Sequence, residues 1–394
     1  MIPEPLPGMA AEPGAGDAPD AAVRPGRGSV FRRRAYWILA GAAAVALHLL
    51  LGRDSAFVET FYSRGVFVGL RWIWDYTLGL SPLPLLFVFW LAAAAYLTIK
   101  VLRYHSRPRP RPRPSWPRRT GRAALALAAF AGALVFFFYV LWGFNYDRVR
   151  LEKRLGLETP GLGAAELVAE AAWAAGAAAE SRAAIPDASA SVLGARMLPA
   201  RLESDLRRAL SKVLTDLGYP APGRVRVRVF RPGGWMMRFS SSGIYIPFFG
   251  EGYAAGGILP SEKPFTMAHE MAHGFGLTDE GDANFLAFLA CDASGDPFIR
   301  YSGYLSYWGY VSAELARAAP AEFRAVWTTL PPGMKADIQA ERDNWNRYLG
   351  ALTKISNRVY ERYLRSQGVW EGMLSYSRFV NLVAAWKKSK GGRN

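Results

Sequence analysis

Residues 269–285 read HEMAHGFGLTDEGDANF, and the rest of the chain is best interpreted outward from them. His269, Glu270 and His273 spell H-E-x-x-H. On a helix, side chains at i and i+4 lie on one face, so the two imidazoles can converge on one ion. Glu270 then projects beside them, where a carboxylate can take a proton from a metal-activated water and return it to a leaving amine. Met267, Met271 and the alanines of TMAHEMAH suit a packed helix, and Gly274 and Gly276 end it. The next turn offers three acids: Asp279, Glu280 and Asp282.

Histidine is scarce. Of the four in the chain, only His269 and His273 lie beyond residue 145, so the third ligand there is a carboxylate or Cys291. Two geometries compete. H-E-x-x-H-x-x-G-x-x-D uses Gly276 and Asp279 and resembles the snapalysin-like variant of the metzincin pattern. E-x-x-A-N uses Glu280 to Asn284 and resembles the gluzincin E-x-x-A-D, in which a second helix delivers a Glu and the residue four later supports a ligand histidine. Thr278 or Asp279 is placed to cap that second helix, which should run to about Cys291 with Phe285 and Leu289 buried. Glu280 would then sit in the first turn, with Asn284 one turn along the same face. A first-turn acid can simply complement the helix dipole, but beside H-E-x-x-H the ligand role is favoured for Glu280 over Asp279, with Zn²⁺ as the ion. Asp282 is expected on another face, in solvent. Cys291, the single cysteine, excludes an internal disulfide and reads as a small buried residue.

The 394 residues carry a formal charge of +16, which raises the question of a nucleic-acid partner. Its distribution argues against one. Arg24, Arg27, Arg32, Arg33 and Arg34 precede the first apolar block, and nine cations between Lys100 and Arg122 separate the second block from the third, with no acid in either cluster. Three segments are long enough to span a bilayer: 35–52, a stretch within 76–99, and 123–144. By the excess of Lys and Arg in short flanks, the N-terminus and the basic loop face the cytoplasm, and an odd number of spans puts everything after Phe144 outside. The expectation is a multi-pass protein of the cell membrane: a disordered basic arm (1–34), a membrane domain (35–144) with an Arg-Pro cytoplasmic loop (100–122), and an extracytoplasmic domain (145–394). RPRPRPRP, 107–114, reads as an extended spacer that sets topology. His48 reads as an isolated polar residue in a span. The aromatic stretch 56–76 suits either an amphipathic helix on the outer leaflet or packing against the outer domain.

In that domain, 164–184 and 200–217 read as helices. RVRVRVF, 224–230, alternates as a strand with Val225, Val227 and Val229 inward. WMMRF from Trp235, GIYIPFF from Gly243 and GYAAGGIL from Gly252 read as further strands. After the motif the chain is helical, interrupted at Pro331-Pro332. Strands followed by helices give an α+β domain, mostly α with a small sheet, attached to three transmembrane helices.

LWGFNYDR after the third span, IYIPFFGEGY, HEMAHGFG, EGDANFLAFLAC, RYSGYL and GMLSYSR together resemble the bacterial membrane proteins carrying domain of unknown function 3810, a relative of the gluzincin-like metallopeptidases. The resemblance covers roughly 56–390. It implies a zincin-like fold and a metal, and it names no substrate. The family's E-x-E-A-N stands here as Glu280-Gly281-Asp282-Ala283-Asn284, while Gly274 replaces a more usual polar residue and GLSPLPLL only loosely matches the family's P-F-S turn. The expected activity is a membrane-anchored zinc peptidase acting on an unidentified peptide or protein: His269, His273 and Glu280 as ligands, Glu270 as general base, Asn284 orienting a ligand histidine. Tyr301, Tyr304, Tyr376 or an arginine would stabilise the oxyanion. An extended substrate would pair with the strand around 244–249 or that around Tyr253. Two rivals remain: a metal-stabilised envelope scaffold or binding module, and an intramembrane protease, against which the polar flanks PSEKPFT and GLTDEGD argue.

Overall fold

A computed structural model describes residues 27–106, 115–189, 191–367 and 375–391, with the side chains of 27–29 and 375–377 left out. The RPRPRPRP run lies outside the described residues. The fold is mostly helical with one small sheet.

Three helices are long and apolar enough to cross a membrane: α1 (Arg27–Leu51), α3 (Leu85–His105) and α4 (Trp116–Leu141). Their long uncharged runs satisfy every backbone group internally, as a bilayer requires. α1 starts at Arg27 rather than Ala35, so the last eight residues of the expected disordered arm are helical. α1 and α4 pack through glycine: a Cβ on Gly41 would stand 2.6 Å from the Gly132 carbonyl oxygen, and one on Gly132 would stand 2.4 Å from that of Trp37. Small residues at such a crossing let two backbones approach closely. α3 stands apart, with only Leu85 buried.

Between α1 and α3 the chain forms a helical segment ending in α2 (Phe67–Asp75). One face of it packs against the following domain, one of the two placements expected, while Phe61, Trp72 and Ile73 stay exposed. Glu59 is buried and ion-paired with Arg64, Arg148 and Arg154. Buried Arg71 donates to the Tyr245 hydroxyl and the Gly250 carbonyl and pairs with Asp75, while the Asp75 carboxylate accepts from the Arg224 amide at 2.8 Å. His48 is not isolated either: its Nδ1 lies 2.7 Å from Asp147 Oδ2, both groups buried.

The domain continues with α5 (Ala164–Ala183), α6 (Leu202–Asp216), β1 (Arg226–Phe230), β2 (Gly243–Ile246), β3 (Glu251–Ala255), α7 (Lys263–Gly274), α8 (Glu280–Asp292), α9 (Pro297–Ala318), α10 (Pro320–Thr329), α11 (Pro332–Asn346), α12 (Ala351–Ser366) and α13 (Ser375–Gly391). The sheet has the order β1-β3-β2, with β1 parallel and β2 antiparallel to β3. The core gathers Leu206, Leu210, Ala268, Met271, Phe285, Phe288, Tyr307 and Phe379 from five helices around α7 and α8.

Two strand expectations change. Val225 and Val227 are buried but Val229, near the end of an edge strand, is 39% exposed. WMMRF is no strand: Met236–Phe239 form a 3-10 turn. The consecutive Met236 and Met237 are both buried, which a strand with one covered face cannot arrange because its side chains alternate.

One face of the sheet rests on the end of α3. Glu251 and Tyr253 accept from the free backbone amides of Leu85 and Leu86, satisfying donors that every helix N-terminus leaves open. Phe230 stacks on Phe87 and Phe249 packs near Phe89.

Candidate metal centre

α7 presents His269, Glu270 and His273 one turn apart, and its own end fixes the second histidine. Pro264 stands in the first turn, where its missing N–H costs nothing. After Gly274 the chain reverses through Gly276, whose φ of +87° is costly for other residues; a Cβ there would also meet the Phe67 ring at 2.7 Å. The reversal brings the Leu277 carbonyl to His273 Nδ1 at 2.7 Å. Asp279 then caps α8, accepting from the amides of Gly281 and Asp282. Glu280 and Asn284 follow on one face of α8, and Asn284 Oδ1 lies 2.7 Å from His269 Nδ1.

When neutral, with each Nδ1 proton given to an oxygen, the rings offer Nε2 lone pairs to a common point; the two Nε2 atoms stand 3.0 Å apart. Glu280 Oε2 lies 3.1 Å from His269 Nε2, and Oε1 lies 3.7 Å from His273 Nε2. Three electron-pair donors thus converge, all within 4.8 Å of one another. Ligands at about 2.0–2.1 Å from one tetrahedral ion stand about 3.3 Å apart, so the donor set and its spacing fit Zn²⁺. The electrostatics carry the same demand for positive charge. Burial by itself would lower the His273 pKa, but Glu280 beside it outweighs burial and pushes it up to about 9. Burial would raise Glu280, yet His273 and His269 hold it well below the usual carboxylate range.

Glu270 is buried against β2 and β3. Burial pushes its pKa up to about 7, against the opposing pull of the two histidines, and its Oε2 has no hydrogen-bond partner. A Cβ on Gly243 would lie 2.4 Å from Glu270 Oε1, so only glycine lets β2 pass this close.

The site opens into a cleft of about 500 Å³. Its walls are β2, the α7–α8 face, Tyr360 and Tyr363 of α12, and Phe138 and Trp142 at the end of α4. Tyr360 donates to Glu280 Oε1, and Tyr363 shares a 3.1 Å hydrogen bond with Tyr146. The motif helix is none of the three membrane-length helices.

Several expected residues lie elsewhere or do other work. Asp279, the rival ligand, is committed to the cap and to an ion pair with Arg378 at 2.6 Å. Asp282 is not solvated: it is buried, also paired with Arg378, and burial pushes its pKa up to about 8. Tyr301 donates to Asp337 and Tyr304 to Asp292, both remote from the cleft. The Tyr376 side chain lies outside the described residues. Of the two strands considered for substrate pairing, β3 is central and paired on both sides, whereas β2 has an unpaired outer edge among the described residues. Sequence reading missed Tyr360 and Tyr363; their i, i+3 spacing in a basic amphipathic helix was the available signal.

No curated protein and no solved structure matches the chain. The family described as "Protein of unknown function (DUF3810)" matches residues 62–384, a stretch that takes in most of the segment after α1, two of the three membrane-length helices, the sheet and the whole histidine–carboxylate cluster. The chain therefore belongs to the DUF3810 family.

Proposed function

We propose that this protein is a membrane-anchored zinc peptidase, related to the gluzincins, whose catalytic domain lies on the extracytoplasmic side. The observation that carries the reading is the convergence of His269, His273 and Glu280 beside a buried carboxylate with an unpartnered oxygen. His269, His273 and Glu280 would hold Zn²⁺, with Asn284 and the Leu277 carbonyl fixing the two rings. Bound there, the ion would polarise a water and a substrate carbonyl. Glu270, buried beside the cluster with one oxygen unpartnered, would take a proton from that water and return it to the departing amine. An extended peptide lies along the open edge of β2, which runs past Glu270 at Gly243. Tyr146, Tyr360 and Tyr363 supply hydroxyls near the reacting carbonyl, in place of Tyr301 and Tyr304.

The test uses the full chain in detergent or nanodiscs. Zinc content should be one per chain, and a broad peptide library should be cut by the wild type but about 10²–10⁴-fold more slowly by Glu270→Ala. One zinc per chain with no Glu270-dependent cleavage would replace the peptidase with a metal-stabilised scaffold. Absence of zinc binding would remove both.

A further inference from the structure

α12 has three faces. Thr353 and Leu364 are buried against the domain, with Tyr360 beside them on the cleft. Leu352, Ile355 and Val359 are 48%, 53% and 61% exposed, and Leu349 just before the helix is exposed as well. At about 100° per residue these three helix positions and Tyr363 fall within about 80° of arc. Lys354, Arg358, Arg362 and Arg365 follow along the next face, with Glu361 the only acid of the helix. An apolar stripe flanked by cations is the pattern of a helix lying in the plane of a bilayer surface.

The stripe continues onto a membrane-length helix. Tyr363, at its end, packs its ring 6.5 Å from that of Phe138 in the last turn of α4, and Tyr139 of α4 donates to Gln367 just past α12 at 3.3 Å. At its other end α12 is tied to the turn after β1: Thr353 and Ser356 donate to the carbonyls of Arg238 and Phe239. β1 itself ends at Phe230, stacked on Phe87 in the first turn of α3. The C-terminal end of α12 is thus held directly at the domain-side end of α4, and its N-terminal end is linked to α3 only through β1 and the turn after it. Ile244, which lines the cleft with Tyr360, and Trp235, whose ring packs on Phe239, are exposed as well.

We propose that α12 is a membrane-surface helix whose Leu352–Ile355–Val359 stripe lies in the phospholipid leaflet on the domain's side. Its cations meet the headgroup phosphates, and the cleft it walls opens at headgroup level. The inference rests on α1, α3 and α4 crossing the membrane, and it stands whether or not the site cuts peptides.

Nitroxide labels on full-length protein in phosphatidylethanolamine–phosphatidylglycerol vesicles test it. Cysteines are placed singly at Ile355 and Val359, with Leu97 on α3 as lipid reference and Asp216 on α6 as water reference. Native Cys291 is fully buried and does not compete for label. The ratio of oxygen to nickel-chelate accessibility should be several-fold higher at 355 and 359 than at 216, and should approach that at 97. A ratio at 355 and 359 equal to that at 216 overturns the proposal, as does shielding from both reagents, which would mean a protein covers the stripe. A low ratio at 97 overturns the membrane crossing itself, and the proposal with it.

Discussion

Glu280 and Asp279 are neighbours of one charge that the fold uses for opposite purposes. Asp279 spends one oxygen on the cap of α8 and on Arg378, while Glu280 turns both of its oxygens toward the two imidazoles. Glu280→Gln should therefore lose zinc affinity by orders of magnitude in a chelator competition titration. Asp279→Asn, which keeps a good capping side chain, should hold one zinc per chain and show only a lowered unfolding temperature from the weakened Arg378 pair. Full zinc retention by Glu280→Gln would remove Glu280 from the site. The neighbourhood of these acids was only half legible in the sequence. Helical spacing put Glu280 and Asn284 on one face, because that relation is local. The burial of Asp282 was invisible, since its partner Arg378 comes from a helix 96 residues away and an acid in a first turn normally stays in water. His48 repeats the lesson, its partner Asp147 lying 99 residues on.

At the scale of elements, the piece that positions α7 is LWGFNYDR, residues 141–148, which follows α4. Trp142 Nε1 donates to the His273 carbonyl at 2.8 Å, Asn145 accepts from Thr278, and Arg148 donates to the Gly276 carbonyl. The end of a membrane-length helix thus adds donors to carbonyls at the end of the motif helix and its following turn, where the His273 carbonyl also accepts from the Gly276 amide at 2.9 Å. Nothing local to Trp142, at the end of an apolar run, distinguishes an indole facing headgroups from one facing a carbonyl. Trp142→Phe keeps the ring and deletes only the donor. It should lower stability by about 0.5–1.5 kcal/mol, the net worth of one hydrogen bond, since the His273 carbonyl keeps its bond from the Gly276 amide, read as an earlier thermal transition of the full chain. Zinc binding should weaken in parallel as His273 loses its support. An unchanged transition would mean that the Gly276 amide alone satisfies the His273 carbonyl. Elements that the sequence did announce, among them α1, α3, α4, α6, α7, α8 and β1, carry an internal period or an uninterrupted apolar run. WMMRF had neither, and only tertiary burial of both methionines decides its shape.

For the whole molecule, the division at residue 145 into a membrane part and an independent domain follows composition but not packing. Residues 55–81 are polar enough to be outside the spans, yet they close the far side of the sheet and the turn after α7. Removing them would strip Glu59 from Arg148 and Arg154, Arg71 from Tyr245 and Gly250, and Asp75 from the Arg224 amide. It would also leave Arg226 and Arg228 without the carbonyls of Gly79 and Ser81. Breaking a buried ion pair by deleting one partner is strongly destabilising because a charge is left buried and uncompensated, and here several are broken together with the loss of Phe67 from its aromatic cluster. A fragment of 145–394 should therefore express as aggregate or as a species without a cooperative thermal transition, whereas the full chain in detergent should unfold cooperatively. Adding 54–84 back through a flexible linker, with no membrane-length helix, should recover part of the cooperativity, because the lost partners are polar groups of that segment rather than lipid. A fragment of 145–394 that folds cooperatively and binds zinc as tightly as the full chain would show that the segment after α1 decorates the domain and does not complete it.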